Sequence, residues 1–393
     1  MSARKKKVGR GKARPASKRA KATTRARSPK ATSPRARPGR VPVAVLGATG
    51  AVGQTFIRLL QGHPFFEITE VAASERSAGK TYREAMHWHE GPLPADVADL
   101  VVKTCDPSDV EAQVVFSALD ASVAGDVEKA FAEAGAIVLS NARNHRMDPD
   151  VPLVIPEVNA DHLALIDAQR KKRGWPGAIV TNANCASTTA TVALAPLHQE
   201  FGAREAVIAT MQAVSGAGYP GVASLDILGS VIPYIGGEEE KIEREIAKML
   251  GTLNGRSVVH APLTVSAHAN RVPVEHGHTT CISVRFEQPV GPEEAKEVLA
   301  AWKGHEVCRG LPSSPDEPLV LRAEPDRPQA RKDVDTGRGM ATIVGRVRAD
   351  PIMHVRLVAL SHNTVRGAAG GSILNAEVLG RMGRLPGVAE GAW

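Results

Sequence analysis

From Pro42 onward, short apolar runs alternate with stretches whose apolar residues recur at helical spacing. Residues 43–46 form an apolar run that ends in glycine, and residues 51–60 carry apolar positions three and four apart, which predicts a strand, a turn and a helix. The alternation continues with strands near 68–73 and 114–117, a helix over 123–134 and a strand at 136–140. Strands separated by helices predict a parallel sheet covered on both faces. After about residue 185 the period changes. Runs such as 279–286 and 354–360 alternate apolar with polar positions, as a half-buried mixed or antiparallel sheet requires. Residues 370–382 look helical again and are expected to return to the first domain. The fold class is therefore α/β: a parallel-sheet domain (residues 41–184 and 361–393) plus an α+β domain with a mixed sheet (residues 185–360).

Composition changes this picture only at the N-terminus. The 393 residues are 43% hydrophobic and 23% charged, which excludes a wholly disordered chain and leaves room for two cores. The formal charge is +7, yet residues 1–40 hold 16 of the 49 Lys and Arg and no acid, so the remainder carries −9. Residues 1–40 read as a disordered basic arm. Ser28-Pro29-Lys30 and Ser33-Pro34-Arg35 within it are of the kind found in nucleic-acid-binding tails, and an acid-free start is also found in transit peptides. Nucleic acid is an expected partner only through this arm. The cysteines Cys105, Cys185, Cys281 and Cys308 never form a C-x-x-C, so neither a disulfide framework nor a metal site is expected, and the default compartment is the reducing cytoplasm. No apolar stretch is long enough for a membrane span.

Two segments carry chemistry. Gly47-Ala48-Thr49-Gly50-Ala51-Val52-Gly53 follows the first strand and opens the first helix, where glycines let a pyrophosphate approach backbone N–H groups at the positive end of a helix. Gly47, Thr49, Gly50, Ala51, Val52 and Gly53 are thus candidate dinucleotide contacts. About 20 residues further on comes Ser74-Glu75-Arg76-Ser77. Ser74, Arg76 and Ser77 suit a 2′-phosphate and favour NADP, whereas Glu75 is a competing signal for NAD. The second segment, Asn182-Ala183-Asn184-Cys185-Ala186-Ser187-Thr188-Thr189, places a cysteine before a small-residue stretch predicted to be helical over 186–197. A thiol at a helix N-terminus is expected to have a lowered pKa and to serve as a nucleophile. A lone cysteine is otherwise commonly buried filler.

The segments VAVLGATGAVGQ, SERSAGK, TNANCASTT, QAVSGAGYPG, GEEEKIERE, NRVPVEHGH and SHNTVRGAAGGSILNAE resemble, in order and from residue 42 nearly to the end, those of the aspartate-β-semialdehyde dehydrogenase family, in its archaeal and fungal branch. The resemblance implies a Rossmann-type nucleotide domain joined to a catalytic and dimerisation domain. It also implies NADPH-dependent reductive dephosphorylation of aspartyl β-phosphate to aspartate semialdehyde and phosphate, serving biosynthesis of Lys, Thr, Met and Ile precursors. Cys185 as thiolate would expel phosphate and form a thioacyl enzyme. His278 would take the thiol proton and later protonate the oxyanion, with His276 the competing choice. A regular strand would put Arg271 and His278 on opposite sides, but Pro273 and Gly277 interrupt it. Arg271 would grip the substrate carboxylate, Gln212 orient the acyl group, and Asn184 offer its amide to the acyl oxygen. Glu238 would meet the substrate ammonium. Lys241 and Arg146 would meet the phosphate, Arg143 being the alternative to Arg146. Ser117 and Ala118 would line the nicotinamide ribose, and Asn363 and Gly367 the nicotinamide. The resemblance further implies a homodimer or homotetramer. Alternatives in the same chemical class are malonyl-CoA reductase and N-acetylglutamyl-phosphate reductase; in another class, a nucleic-acid-associated protein acting through its arm.

Overall fold

The structure is a computed structural model that describes residues 36, 37 and 39–393, so nearly all of the expected arm lies outside the described residues. Its first sheet has seven parallel strands: β1 (Val41–Leu46), β2 (Phe66–Ala73), β3 (Lys103–Thr104), β4 (Val114–Ser117), β5 (Ile137–Ser140), β6 (Leu153–Val154) and β7 (Ala178–Asn182), in the order β3-β2-β1-β4-β5-β7-β6. The run 43–46 is apolar at every position because both of its faces are covered. Val43 and Val45 enter one cluster with Phe56, Val114, Phe116 and Leu139, whereas Ala44 and Leu46 enter another with Val115, Phe131 and Ile179. The helix Ala51–Leu59 covers the first face and the helix Ala121–Glu133 the second.

The late helix does return to this sheet. Gly370–Arg381 places Ile373, Leu374, Val378 and Leu379 in the first cluster, all buried. Each contributes about 1.5–3 kcal/mol of transfer free energy as an upper bound, enough to hold the C-terminal segment in place.

The second sheet is mixed. Apart from a separate small hairpin, β9 (Thr252–Leu253) and β10 (Val258–Val259), the remaining strands are β8 (Ala203–Gln212), β11 (Thr264–Arg271), β12 (His278–Phe286), β13 (Leu319–Leu321), β14 (Thr342–Ala349) and β15 (Val355–Ser361), in the order β11-β8-β12-β15-β14-β13. β11 runs parallel to β8, and β12 and β15 run antiparallel to their neighbours. The helix Cys185–Phe201 lies on this sheet with residues 186–197 buried throughout, and the helix Glu238–Met249 adds Ile242, Ile246 and Met249 to the same cluster. Register then decides function. Arg271 pairs with Gln212, and His278 pairs with Ser361, so three chemically equipped side chains reach one end of the sheet. β11 ends at Arg271 and β12 starts at His278, the interruption expected from Pro273 and Gly277.

Candidate active site

Cys185 is the first residue of its helix, and Asn184 caps it. The Asn184 Oδ1 accepts the N–H groups of Ala186 at 2.9 Å and Ser187 at 3.1 Å, as a good N-cap side chain does. Its Nδ2 donates to Glu238 Oε2 at 2.8 Å and its backbone N–H to Glu245 Oε2 at 2.7 Å. Asn184 is therefore a cap pinned from two sides, and the amide expected to face an acyl oxygen bonds Glu238 instead. The thiol also departs from expectation. Burial and the Glu238 carboxylate push Cys185 up to about 12, against the opposing pull of Arg146, Arg271 and the Ala186 N–H. The helix terminus alone does not make a thiolate here.

The backbone of one residue, Ala213, organises the other half of the site. The Ala213 N–H donates to His278 Nδ1 at 3.1 Å, and the Ala213 carbonyl accepts Arg271 Nη1 at 2.7 Å. The turn over Val214–Ala217 closes on this pair through Gly216, where a Cβ would stand 3.0 Å from Arg271 Nη1 and 3.1 Å from His278 Nε2. His278 is fully buried. His276, in contrast, bonds Ser215 Oγ at 3.0 Å and stacks on His362. Asn363 spends its side chain on Gly277 N–H at 2.9 Å and Ser215 Oγ at 2.8 Å, tying the same loops together.

The charged residues form a connected set. Glu238 accepts from Lys241, Asn184 and Gln212, the last at 3.4 Å. Burial works to raise its pKa, but the Lys241 charge and the bonds from Lys241 and Asn184 hold the carboxylate below the usual range. Arg146 is buried, donating from Nη1 to Glu245 Oε1 at 2.9 Å and from Nη2 to the Asn141 carbonyl at 2.9 Å. Its Nε is buried without a partner. Arg143, the alternative, is exposed, with its Nη1 3.7 Å from where a Cβ on Gly237 would stand, at the start of the Glu238 helix. Two residues that sequence reasoning did not assign support this set. Glu245 joins Arg146 to Asn184, and Lys248, fully buried, donates to the carbonyls of Arg146, Asp148 and Val151 at 2.7, 2.8 and 2.9 Å. The signal was available: Glu245 and Lys248 continue the Glu238–Lys241 face at helical spacing.

Gly367 closes the cysteine side. It lies in a π-turn, Val365–Ala369, and a Cβ there would meet Cys185 Cβ at 2.6 Å and Cα at 2.8 Å. Gly367→Ala is expected to shift the nucleophile and lower turnover by about 100-fold, the order of loss a displacement near 1 Å produces. Measured kcat together with the iodoacetamide reaction rate of Cys185 checks it, and unchanged values of both would contradict it.

At the glycine loop, Gly47 has φ +70°, and a Cβ would meet the Ala118 carbonyl oxygen at 2.6 Å; at Gly53 a Cβ would meet the Gly47 oxygen at 2.3 Å. Gly50 caps the helix Ala51–Leu59 with no side-chain bond, leaving backbone N–H groups for an anion. Tyr82 Oη and Gln54 Nε2, both missed from sequence, hold the carbonyls of Ala48 at 2.7 Å and Thr49 at 3.2 Å. Ser74 and Arg76 are exposed beyond the end of β2, with Ser77 half-buried beside them. Ser117 does not behave as expected: it is fully buried, and its hydroxyl donates to Glu128 Oε1 at 2.6 Å, inside the domain rather than toward a ligand. Ala118 keeps its place at the strand end against Gly47.

A glycine-lined helix start at the carboxyl end of a parallel sheet, together with a Cys at a second helix start and an Arg and His pair at the strand ends of a second sheet, defines a nicotinamide-dependent oxidoreductase. Residues 42–166 match the family model "Semialdehyde dehydrogenase, NAD binding domain" and residues 194–366 match "Semialdehyde dehydrogenase, dimerisation domain". The chain belongs to the semialdehyde dehydrogenase family. It is 51% identical to the aspartate-semialdehyde dehydrogenase of Archaeoglobus fulgidus, over 86% of this chain and 98% of that one, and 48% identical to that of Trichophyton rubrum, over 87% and 98%. The crystal structure of aspartate semialdehyde dehydrogenase with NADP from Candida albicans aligns with a TM-score of 0.80 at 44% identity, covering 86% of this chain and 98% of that chain. With a dimerisation domain over residues 194–366, the chain assembles with copies of itself. Among the described residues no helix is long and apolar enough to cross a membrane, and no group of three or more His, Cys, Asp or Glu is placed to hold a metal.

Proposed function

We propose that this enzyme reduces aspartyl β-phosphate to aspartate β-semialdehyde and phosphate with NADPH, a step toward Lys, Thr, Met and Ile. The observation that carries the reading is the shared neighbourhood of Cys185, His278, Arg271, Glu238 and Arg146, one nucleophile ringed by groups suited to an amino-acid acyl phosphate. Arg271, half held by the Ala213 carbonyl, presents the rest of its fork to the α-carboxylate. Glu238 receives the ammonium. Lys241 and Arg146 receive the phosphate, and Gln212 orients the acyl group. Cys185 attacks the acyl carbon and retains it as a thioester. The bound cofactor supplies hydride to that thioester carbonyl. The Gly47 and Gly53 cradle, the uncapped helix start with Thr49, Ala51 and Val52, and the backbone at Ala118 fit a pyrophosphate, while Gly367, packed on Cys185, and the backbone at Asn363, whose side chain ties the loops together, would receive the nicotinamide end. Residues 41–184 with 361–393 form the nucleotide domain in this reading, and residues 185–360 the catalytic and dimerising one, in a cytoplasmic homodimer or homotetramer. Light scattering at micromolar concentration distinguishes the two assemblies.

The deciding assay is phosphate-dependent oxidation of aspartate semialdehyde with NADP, run beside malonyl-CoA and N-acetylglutamyl phosphate reduction. Turnover with a rival acyl donor alone would replace this assignment. Arg76, exposed at the end of β2, is the proposed 2′-phosphate partner, with Ser74 and Ser77 beside it. Arg76→Ala is expected to raise the NADPH KM about 10-fold or more, the worth of one charge-assisted bond, while NADH kinetics change little. Equal effects on both cofactors would contradict that role.

A second reading rests on the 16 bases of residues 1–40. Removal of residues 1–40 is expected to leave kcat unchanged and to abolish any salt-sensitive binding to polyanions. Polyanion binding that persists in the truncated chain would move the interaction to the catalytic body.

A further inference from the structure

We propose that the buried Glu157–Arg366 ion pair is a positioning device for the reacting centre: it fixes the π-turn Val365–Ala369 and so holds Gly367 against Cys185. Both residues act through that turn, not on the substrate. The proposal rests on the reading above, in which Cys185 is the nucleophile and Gly367 receives the nicotinamide end.

Gly367 is tied down on both flanks. On one side Arg366 Nη1 donates to Glu157 Oε1 at 2.7 Å. On the other, the Ala368 carbonyl accepts Asn182 Nδ2 at 2.8 Å, from a residue three positions before the nucleophile. The turn between these anchors has π spacing: the Gly367 N–H reaches the His362 carbonyl at 3.0 Å and the Ala369 N–H the Thr364 carbonyl at 3.1 Å. Single turns of this kind are rare and occur mostly at functional sites. Glu157 is itself delivered from a fixed backbone. It lies in the helical turn Pro156–Asn159, where the Asn159 side chain accepts the Ile155 N–H and donates to the Leu153 carbonyl, both at 2.9 Å. The Glu157 carbonyl accepts the His305 N–H at 2.9 Å, and a Cβ on Gly304 would stand 2.9 Å from Glu157 Cβ. The restraint therefore runs from the Pro156–Asn159 turn through Arg366 to Gly367 and the nucleophile.

The pair is badly arranged for stability alone. Each residue is 2% exposed, yet Arg366 Nε and Nη2 and Glu157 Oε2 are buried without a hydrogen-bond partner among the described residues. Two desolvated charges joined by one direct bond recover only part of their lost solvation, and apolar side chains of similar volume often serve a fold as well or better. What apolar side chains do not supply is direction. A charge-assisted bond between a planar fork and a carboxylate sets both the distance and the angle at which the turn sits. That precision matters at Gly367, where the backbone already lies so close to Cys185 that a Cβ would stand 2.6 Å from the cysteine Cβ.

Two variants of the full chain separate position from stability. Glu157→Met combined with Arg366→Met removes both charges together and strands neither, so its urea midpoint is expected to stay near wild type. Its kcat is expected to fall about 10- to 100-fold, the order of loss that a misplacement near 1 Å produces. The kinetic isotope effect on kcat, measured with NADPH deuterated at the transferred position, is expected to rise as hydride transfer becomes the slow step. The iodoacetamide rate at Cys185, read by peptide mass spectrometry, is expected to depart from wild type. Glu157→Gln gives the reverse pattern. Its amide oxygen can still accept the Arg366 Nη1 bond, but the guanidinium loses its countercharge, so the urea midpoint falls while kcat per folded molecule and the isotope effect stay close to wild type. A purely structural pair predicts wild-type kcat and isotope effect in the stable double variant, and that result would overturn the proposal. So would a Gln variant as slow per folded molecule as the double one, because charge rather than position would then be what matters. Alkylation of Cys185 needs no substrate. Failure of the wild-type enzyme on aspartyl phosphate would therefore sink the acyl-phosphate reading, whereas an unchanged Cys185 alkylation rate in the double variant would sink the present inference alone.

Discussion

Cys185→Ser is expected to form no measurable semialdehyde, a loss on the order of 10⁴-fold or more in kcat. The substitution is nearly isosteric and keeps the first position of a helix capped by Asn184, so the backbone that presents the group is unchanged. What changes is the ionisation. Burial already pushes the thiol up to about 12, so even sulfur reacts only as its proton departs. An alcohol starts several pKa units higher, in the same desolvated position and beside the same Glu238 carboxylate. The product of any attack would also be an oxygen ester, whose carbonyl accepts hydride less readily than a thioester. NADP affinity, set by the glycine loop and its helix, is expected to stay within about twofold of wild type. Turnover near wild type in Cys185→Ser would remove Cys185 from the nucleophile's role, and a collapse of cofactor affinity would point to a structural rather than chemical loss.

The nucleotide half of the fold was legible because both of its signals are local. A run apolar at every position from 43 to 46 must be covered on both faces, and the two clusters that take Val43 with Val45 and Ala44 with Leu46 are the physical form of that rule. Strands of two residues, such as β3, β6, β9 and β10, are too short to carry a period. In the site, residue types and order were readable, but burial and partner choice were not. A helix terminus offers a thiol only a partial charge, and at Cys185 desolvation, which the sequence does not display, is the larger effect. Ser117 lies at the expected strand end, yet a buried acid about two turns into the following helix, Glu128, takes its hydroxyl and that of Ser140. The roles of the Ala213 backbone and of Gly216 have no side-chain signature at all. They follow from register, which places β8, β11 and β12 ends together.

Glu245→Ala is expected to destabilise the chain by about 3–5 kcal/mol, the cost of leaving a buried charge without its partner, and to reduce kcat/KM by more than that loss of folded protein explains. Glu245 is 2% exposed, and its two oxygens hold Arg146 at 2.9 Å and the Asn184 N–H at 2.7 Å. Alanine thus strands a guanidinium whose Nε is already unpartnered, and it frees the residue that precedes the nucleophile. Lys248 limits how far the loop can relax, because its ammonium fixes the carbonyls of Arg146, Asp148 and Val151 from the next turn of the same helix. The stranded charge cannot easily swing to solvent. Glu245→Gln separates the two functions of the side chain: its carbonyl can still accept the Asn184 N–H, while its amide faces Arg146 with the wrong polarity. The Gln variant is therefore expected to keep the cysteine geometry, read as an iodoacetamide rate close to wild type, and to raise the phosphate KM in the oxidative direction about 10-fold. Urea unfolding with an unchanged m-value measures the stability part. An Ala variant as stable as wild type, or a Gln variant with an unaltered phosphate KM, would show that Arg146 does not depend on Glu245 for its position.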